Sequence, residues 1–267
     1  MRCWIGSVAV IGPGLPGWAA SEAVLAGGSP WTRTEVTLPP PALLPPTERR
    51  RTSPTVRLAL AAAAEATAEE ADRAALETVF ASSNGDGVIV GSILDALHDP
   101  AGVTVSPTQF HNSVHNAPAG YWHIGVSSTA PSVSLGGYDG SFAAGLLTAV
   151  TTVAVRGRAV LLCAYDVPMS SPLAAVRPTG AAFAAAFVLR PEPGSVSGSS
   201  LRAALELRYR AVPAPEAPPT DALDALAVEN PAARALPLLR ALAARRAAVL
   251  HVPLLEDAHL ELRVAPC

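Results

Sequence analysis

The sequence predicts an α/β protein whose mixed sheet carries helices on both faces. Short β-like runs alternate with alanine- and leucine-rich stretches of helical length, as in residues 8–11 followed by 19–26, and 132–135 followed by 140–155. The runs at 181–189 and 201–209 follow one another without a helix between them and read as an antiparallel pair, which makes the sheet mixed. A chain of 267 residues, 50% of them hydrophobic, is long enough for one substantial core, so one domain with a tail is expected.

Composition removes several function classes. All 19 basic residues are arginine and the formal net charge is only −3, so no strong field gathers nucleic acid or anionic lipid, and neither partner is expected. Cys3, Cys163 and Cys267 lack the C-x-x-C spacing of a zinc or redox site and suit a reducing compartment. The start, MRCWIGSVAVIG, has a short apolar run leading into Gly-Pro-Gly rather than a cleavage site. No window holds about 18 uncharged apolar residues flanked like a membrane span. A cytoplasmic location without a span is expected.

In chain order, residues 8–11 read as a buried strand, followed by Gly12-Pro13-Gly14-Leu15-Pro16-Gly17 and a helix over 19–26. That is G-x-G-x-x-G, the spacing that cradles a pyrophosphate. Pro13 and Pro16 lack the N–H groups such a cradle aims at phosphate. Glu35, near the position of the ribose-binding acid, opens a β-like run instead of closing one. No nucleotide cofactor is expected. Residues 39–46 form a proline-rich loop, and Ser53 then caps a helix that starts at Pro54 and runs to about residue 68. Arg49, Arg50 and Arg51, beside Glu48, read as a solvated helix entrance or a partner contact.

Residues 78–82 form a strand, and Asn84-Gly85-Asp86-Gly87 a turn. Asp86 lacks the companion acids of a calcium loop. Over 88–97, Val-Ile-Val favours strand, but Ile89, Ile93 and Leu97 share one helical face, and helix is expected.

Polar side chains then gather at element ends in residues 107–149: Asn112, Ser113, Asn116 and Ser141. His111 and His115 are four apart, with His123 in the next element, three residues of metal-ligand type. Asn112 stands where H-E-x-x-H needs its glutamate, and no carboxylate supplies a fourth ligand, so no metal is expected. These histidines and asparagines are expected to satisfy buried backbone groups around Gly120 and Gly125. After the strand at 132–135, Gly136-Gly137 turns the chain into the helix over 140–155, with Asp139 placed to cap it through the N–H of Ser141 or Phe142. Ser141 is not in a G-x-S-x-G elbow, because Asp139 and Ala143 hold the glycine positions.

Residues 160–164 form a strand ending in Tyr165-Asp166, and 168–178 a surface loop. In the run at 201–209, Leu201, Ala203, Leu205, Leu207 and Tyr209 face one way, while Arg202, Glu206, Arg208 and Arg210 face water. GSVSGSS (194–200) is a polar, flexible connection and 212–219 a Pro/Ala linker. Asn230-Pro231 starts an amphipathic helix carrying Leu236, Leu239, Arg240 and Leu242. Strands at 249–254 and 259–264 close the chain, with His251 and His259 lacking a carboxylate at fixed spacing and read as ordinary.

One motif is more specific. Phe110, Ser113, Val114, Asn116, Ala117, Pro118, Ala119 and Gly120 spell F-x-x-S-V-x-N-A-P-A-G ahead of a strand, a tight elbow and an Ala/Leu helix. This resembles the β-ketoacyl synthases, a family with the thiolase-like fold. The resemblance covers roughly residues 1–190, implying a ketosynthase-like N-terminal domain there. Residues 191–267 would supply a hairpin strand, linker, helix and closing strands packed on the same domain. In that family the elbow presents the cysteine that accepts the acyl chain. Aligning SFAAGLLTA with the helix that follows puts Asp139 at the cysteine position, or Tyr138 if the alignment slips by one.

Neither residue is a thiol, and nothing after Arg190 resembles the family's G-T-G-T, S-x-x-G-H or G-F-G-G segments, so no catalytic residue is implied. The chain resembles the short chain-length-factor-like subunits of aryl polyene and type II polyketide systems. That implies a heterodimer with a catalytic ketosynthase, reaching acyl carrier protein through it, joined at the strand 132–135. Tyr121, Trp122, Val133, Tyr138 and Phe142 are the candidate interface or tunnel residues. L-P-P-x-E-R-R-R-x-S-P also resembles these short domains. The alternative is a divergent acyltransferase or thioester hydrolase using Ser141, Cys163 or Asp139, although Cys163 sits in an apolar strand, where a thiol is inert.

Overall fold

The computed structural model describes residues 1–267 except Ala101, Val103, 194–200 and Ala217; the GSVSGSS connection lies outside the described residues. Strand β1 (Arg2–Ile11) begins well before the apolar run at 8–11. A bulge between Ile5 and Ser7 shifts the alternation by one, so Cys3 and Ile5 share a face with Val8 and Val10. That shift hid the first half of the strand from a period-two reading.

Next come α1 (Trp18–Leu25), α2 (Pro46–Arg49), α3 (Pro54–Ala66), β2 (Glu77–Ala81), α4 (Gly87–His98), α5 (Pro107–Ser113), α6 (Ala117–Val126) and β3 (Ser132–Leu135). The chain continues through α7 (Ser141–Arg156), β4 (Val160–Asp166), α8 (Leu173–Val176), β5 (Phe183–Arg190), β6 (Ala203–Arg210), α9 (Leu226–Glu229), α10 (Leu236–Ala243), β7 (Ala248–Leu255) and β8 (Ala258–Pro266). Local chemistry explains several boundaries. Ser53 accepts a hydrogen bond from Val56 N–H with Pro54 at the first helical position, as expected. Asp86 caps α4 through Ile89 N–H, which settles the 88–97 ambiguity for helix. Residues 30–41, including the run opened by Glu35, contain no strand, and α8 interrupts the loop at 168–178.

All eight strands form one mixed sheet in the order β3-β2-β4-β5-β1-β6-β8-β7. The β3-β2-β4 ladders are parallel and the rest antiparallel. The expected direct pairing of 181–189 with 201–209 is therefore wrong. β1 lies between those strands, with Val8 opposite Phe187 and Cys3 opposite Leu205. Both runs are strands as expected, but the link between them is far longer than a tight hairpin turn and leaves room for a third strand.

One core packs α1, α7 and α10 on the sheet face holding Phe187, Leu162 and Leu262. The other packs α3 and α6 on the opposite face, against Phe80, Cys163 and Val188. The second core takes no residue from β6, β7 or β8. On that side these strands expose a ladder in which Glu206 accepts from Arg208, and Glu261 from Arg210 and Arg263. The expected facing of the 201–209 run holds except at Tyr209, which is 53% exposed, and at Arg202, whose guanidinium lies 4.9 Å over the Trp18 ring of the first core instead of facing water.

Where the two regions meet, Arg190 pairs with Glu70 at 2.5 Å, both nearly inaccessible. Gly6, at the β1 bulge, makes room for it, since a Cβ there would come 2.9 Å from Arg190 Nε. Residues 138–156 are long and apolar enough to cross a membrane. Within the fold this is a core helix, with Phe142, Leu146, Ala149, Val150 and Val153 fully buried against the sheet.

Candidate functional site

The elbow follows β3, an edge strand paired only with β2. Gly136 and Gly137 lead into one turn of 3-10 helix, Tyr138–Gly140, and α7 begins at Ser141. Gly140 is sterically required: a Cβ there would lie 2.1 Å from the carbonyl oxygen of Leu254. Tyr138 adopts φ +53°, the left-handed region that a bulky side chain rarely enters, so the sharpest backbone turn falls on Tyr138 rather than Asp139.

Asp139 does not cap α7 as the sequence predicts. The cap position is Gly140, without a side-chain bond, and the Asp139 carboxylate turns away to ion-pair with Arg177 and, at 3.2 Å, Arg234. The extra 3-10 turn moves Asp139 out of reach of the helix N–H groups. Arg177 also lies 3.7 Å above the Tyr138 ring and donates to Ser83 Oγ at 2.7 Å. Tyr138, Asp139, Arg177 and Arg234 line a cavity of about 290 Å³ with Glu229 and Pro231. Sequence reasoning missed Arg177 and Arg234, which are remote from Asp139 and come from a loop and a 3-10 turn without a motif.

Asp166 anchors the network from beneath. Fully buried, it accepts from Ser82 Oγ at 2.8 Å and from the N–H groups of Ser83 and Asn84, both at 2.9 Å. Burial pushes its carboxyl up to about 6, against the lowering effect of these donors and of Arg177. The Asp166 carboxylate thus fixes the turn that offers Ser83 to Arg177.

No candidate nucleophile has the required surroundings. Ser141 is buried, with Oγ donating to the Tyr138 carbonyl at 2.6 Å and accepting from Gly137 N–H at 3.0 Å, so it staples the elbow. Cys163 is buried in β4, and desolvation raises its thiol well above the ordinary range. Asp139 is neutralised by two guanidinium groups, and a carboxylate so held is a poor nucleophile.

The expected interface or tunnel residues divide. Val133 and Tyr138 are 43% and 67% exposed. Tyr121, Trp122 and Phe142 have no exposed surface at all; all three belong to the two cores and cannot contribute surface to an interface in this conformation. Of the arginine triplet, Arg49 donates to the Ala42 and Leu44 carbonyls and Arg51 pairs with Glu48.

The histidines do not converge either. α5 ends at Ser113, so His111 and His115 share no helix, and His123 contacts Thr78 Oγ1 at 3.2 Å and the Ser128 carbonyl at 3.3 Å. Asn112 donates to the Arg51 carbonyl. The backbone groups met are those of Arg51 and Ser128, not of Gly120 or Gly125. Among the described residues, no three His, Cys, Asp or Glu side chains are grouped to hold a metal. At the G-x-G-x-x-G segment, the N–H of Trp18 at the start of α1 donates to the Glu65 carboxylate at 2.5 Å, so a carboxylate occupies the place of a pyrophosphate. His251 and His259, by contrast, are not isolated: their rings meet at 3.1 Å, and His259 Nδ1 lies 2.8 Å from the Val212 carbonyl. That diagonal pairing follows from the β7-β8 register, which spacing alone does not reveal.

A mixed sheet ending in a parallel edge strand, a glycine elbow and an Ala/Leu core helix fit the thiolase-like fold expected from the sequence. The family model described as beta-ketoacyl synthase, N-terminal domain, matches residues 18–252, and the chain belongs to that family. A chain in the complex of a ketosynthase (ApeO) with its chain length factor (ApeC) from Xenorhabdus doucetiae is similar in fold, with TM-score 0.73 and 20% identity, covering 98% of this chain and 99% of that one. The ishigamide ketosynthase/chain length factor matches with TM-score 0.73 and 14% identity, over 100% and 99% of the two chains. A chain of the type II polyketide complex AntDE:AntF, an acyl-carrier protein with its ketosynthase, matches with TM-score 0.76 and 12% identity, again over 100% and 99%. No curated protein matches the chain.

Proposed function

We propose that this chain is a non-catalytic, chain-length-factor-like subunit that pairs with a catalytic β-ketoacyl-ACP synthase in fatty-acid, polyketide or aryl-polyene biosynthesis. It meets the acyl carrier protein through that partner, in the cytoplasm. One observation carries the reading: the elbow that presents an acyl-accepting thiol in working ketosynthases carries Tyr138 and Asp139 here, neither of them a thiol, with Asp139 ion-paired to Arg177 and Arg234. Two of the similar structures are described as ketosynthase and chain-length-factor assemblies, which supports a partner of the same kind. In this reading residues 1–190 form the ketosynthase-like domain and 191–267 an extension packed on it.

The contact runs through β3. Its free edge exposes backbone groups together with Val133 and carries no charged side chain to block pairing. A permanent interface there buries upwards of ~2,000 Å². Co-expression with a ketosynthase encoded in the same genome, followed by size-exclusion chromatography, should yield a co-eluting heterodimer, and Val133→Arg should abolish it. Wild-type protein that stays a stable monomer and never co-elutes refutes the proposal.

A further inference from the structure

A second cavity, of about 460 Å³, opens between α3, α4 and α5, away from the elbow. Val36, Leu38, Val88, Ile89, Val167 and Pro168 give it an apolar wall. Into this wall are set Thr55, Asp86 and Asn112, which are 2%, 6% and 3% exposed. Each presents a buried oxygen without a hydrogen-bond partner: Thr55 Oγ1, Asp86 Oδ2 and Asn112 Oδ1. Their other atoms explain why these oxygens are left over. Asp86 Oδ1 is used by the N–H of Ile89 at 3.1 Å, and Asn112 Nδ2 donates to the Arg51 carbonyl at 2.8 Å, which fixes the orientation of its amide near the Tyr121 hydroxyl. Among the described residues no ion pair involves Asp86.

Three unpartnered side-chain oxygens, one of them a carboxylate's, line a single cavity of ordinary ligand size. Arg51 also lines the cavity but is paired with Glu48, so Asp86 is the charge left without an ion-pair partner and disfavours an anion beside it. Among the described residues no three His, Cys, Asp or Glu side chains are grouped there to hold a metal ion. A primary ammonium group has three N–H donors and one positive charge, matching the three oxygens in number and Asp86 in sign. We propose that this cavity binds a small molecule carrying a primary ammonium on an apolar body, with its nitrogen against Asp86, Asn112 and Thr55 and its body along Val36, Leu38 and Val167.

Titration calorimetry on the intact chain with n-hexylammonium, 1-hexanol and hexanoate tests this. Saturable binding of hexylammonium is expected, at least tenfold tighter than hexanol, with no binding of hexanoate. Asp86→Asn keeps an N-cap acceptor for α4 and should weaken hexylammonium at least tenfold. Thr55→Val, which keeps side-chain shape, should weaken it severalfold and provides a second reading if the first variant folds poorly. Equal binding of hexanol and hexylammonium, undiminished binding to both variants, or no saturable binding to the wild-type chain overturns the proposal; the last result would assign the three oxygens to buried water.

Discussion

The two halves of the sheet solve the same burial problem differently. β2, β4 and β5 are covered by helices on both faces, and every residue of all three is buried. β6, β8 and β7 are covered on one face only and give the other to a ladder of arginine and glutamate. Their sequences differ accordingly: Phe-Ala-Ala-Ala-Phe-Val-Leu-Arg in β5 is nearly continuous, whereas Ala-Ala-Leu-Glu-Leu-Arg-Tyr-Arg in β6 alternates. The lesson is that burial on both faces erases the period that identifies a strand's orientation, and partial exposure restores it.

Leu162 in β4 and Leu262 in β8 sharpen the contrast, because both side chains are fully buried. Leu162→Ala should cost about 4–5 kcal/mol, since helices on both faces hold the cavity open. Leu262→Ala should cost about 2–3 kcal/mol, because a strand with one solvated face relaxes more easily. Urea denaturation of both variants measures the difference, and equal costs would break the comparison.

Asp166 supplies the next largest effect, and it depends on pH. Its folded carboxyl titrates near 6, above the ordinary carboxylate range. Its contribution to stability is therefore fully present below about pH 4 and is lost as pH rises through 6, by roughly 3 kcal/mol in all. Asp166→Asn cannot titrate and turns an amide toward donors, so it is destabilised throughout. The gap between wild type and variant should be widest near pH 4 and narrow above pH 6. A gap that is constant across that range refutes the assignment. Smallest are the ladder variants: Glu206→Ala and Arg208→Ala should leave Tm unchanged within error, since the pair is exposed and screened. A clear loss would show that the open face is covered in the working assembly.

Much of the fold was legible where chemistry is local. Ser53-Pro54 announced its helix, and helix was rightly expected over Val-Ile-Val in α4, although only Gly87 and Gly91 of that helix are buried and Leu97 is 68% exposed. Strand order was not legible, because nothing in residues 181–209 says that β1 lies between them. The elbow was found from Gly136-Gly137 and the motif before it, yet its meaning was not. Whether Asp139 caps a helix or meets a guanidinium depends on Arg177 and Arg234, which only the folded chain brings near. The three orphaned oxygens were equally silent: Asp86 read as a turn residue, and Thr55 as the second residue of a helix.

The position of β1 also bears on the order in which the protein is made. β1 takes Phe187 and Leu205 as strand neighbours, so its apolar length waits without a sheet partner until β5 and β6 have been translated. Contacts of such long sequence separation form slowly, so β1 cannot seed an early folding unit of paired strands. In stalled nascent chains carrying a force-sensing arrest peptide, the main pulling event should therefore appear only once β5 has cleared the exit tunnel. An equal event with β5 still inside would show that β1 finds temporary cover elsewhere during synthesis.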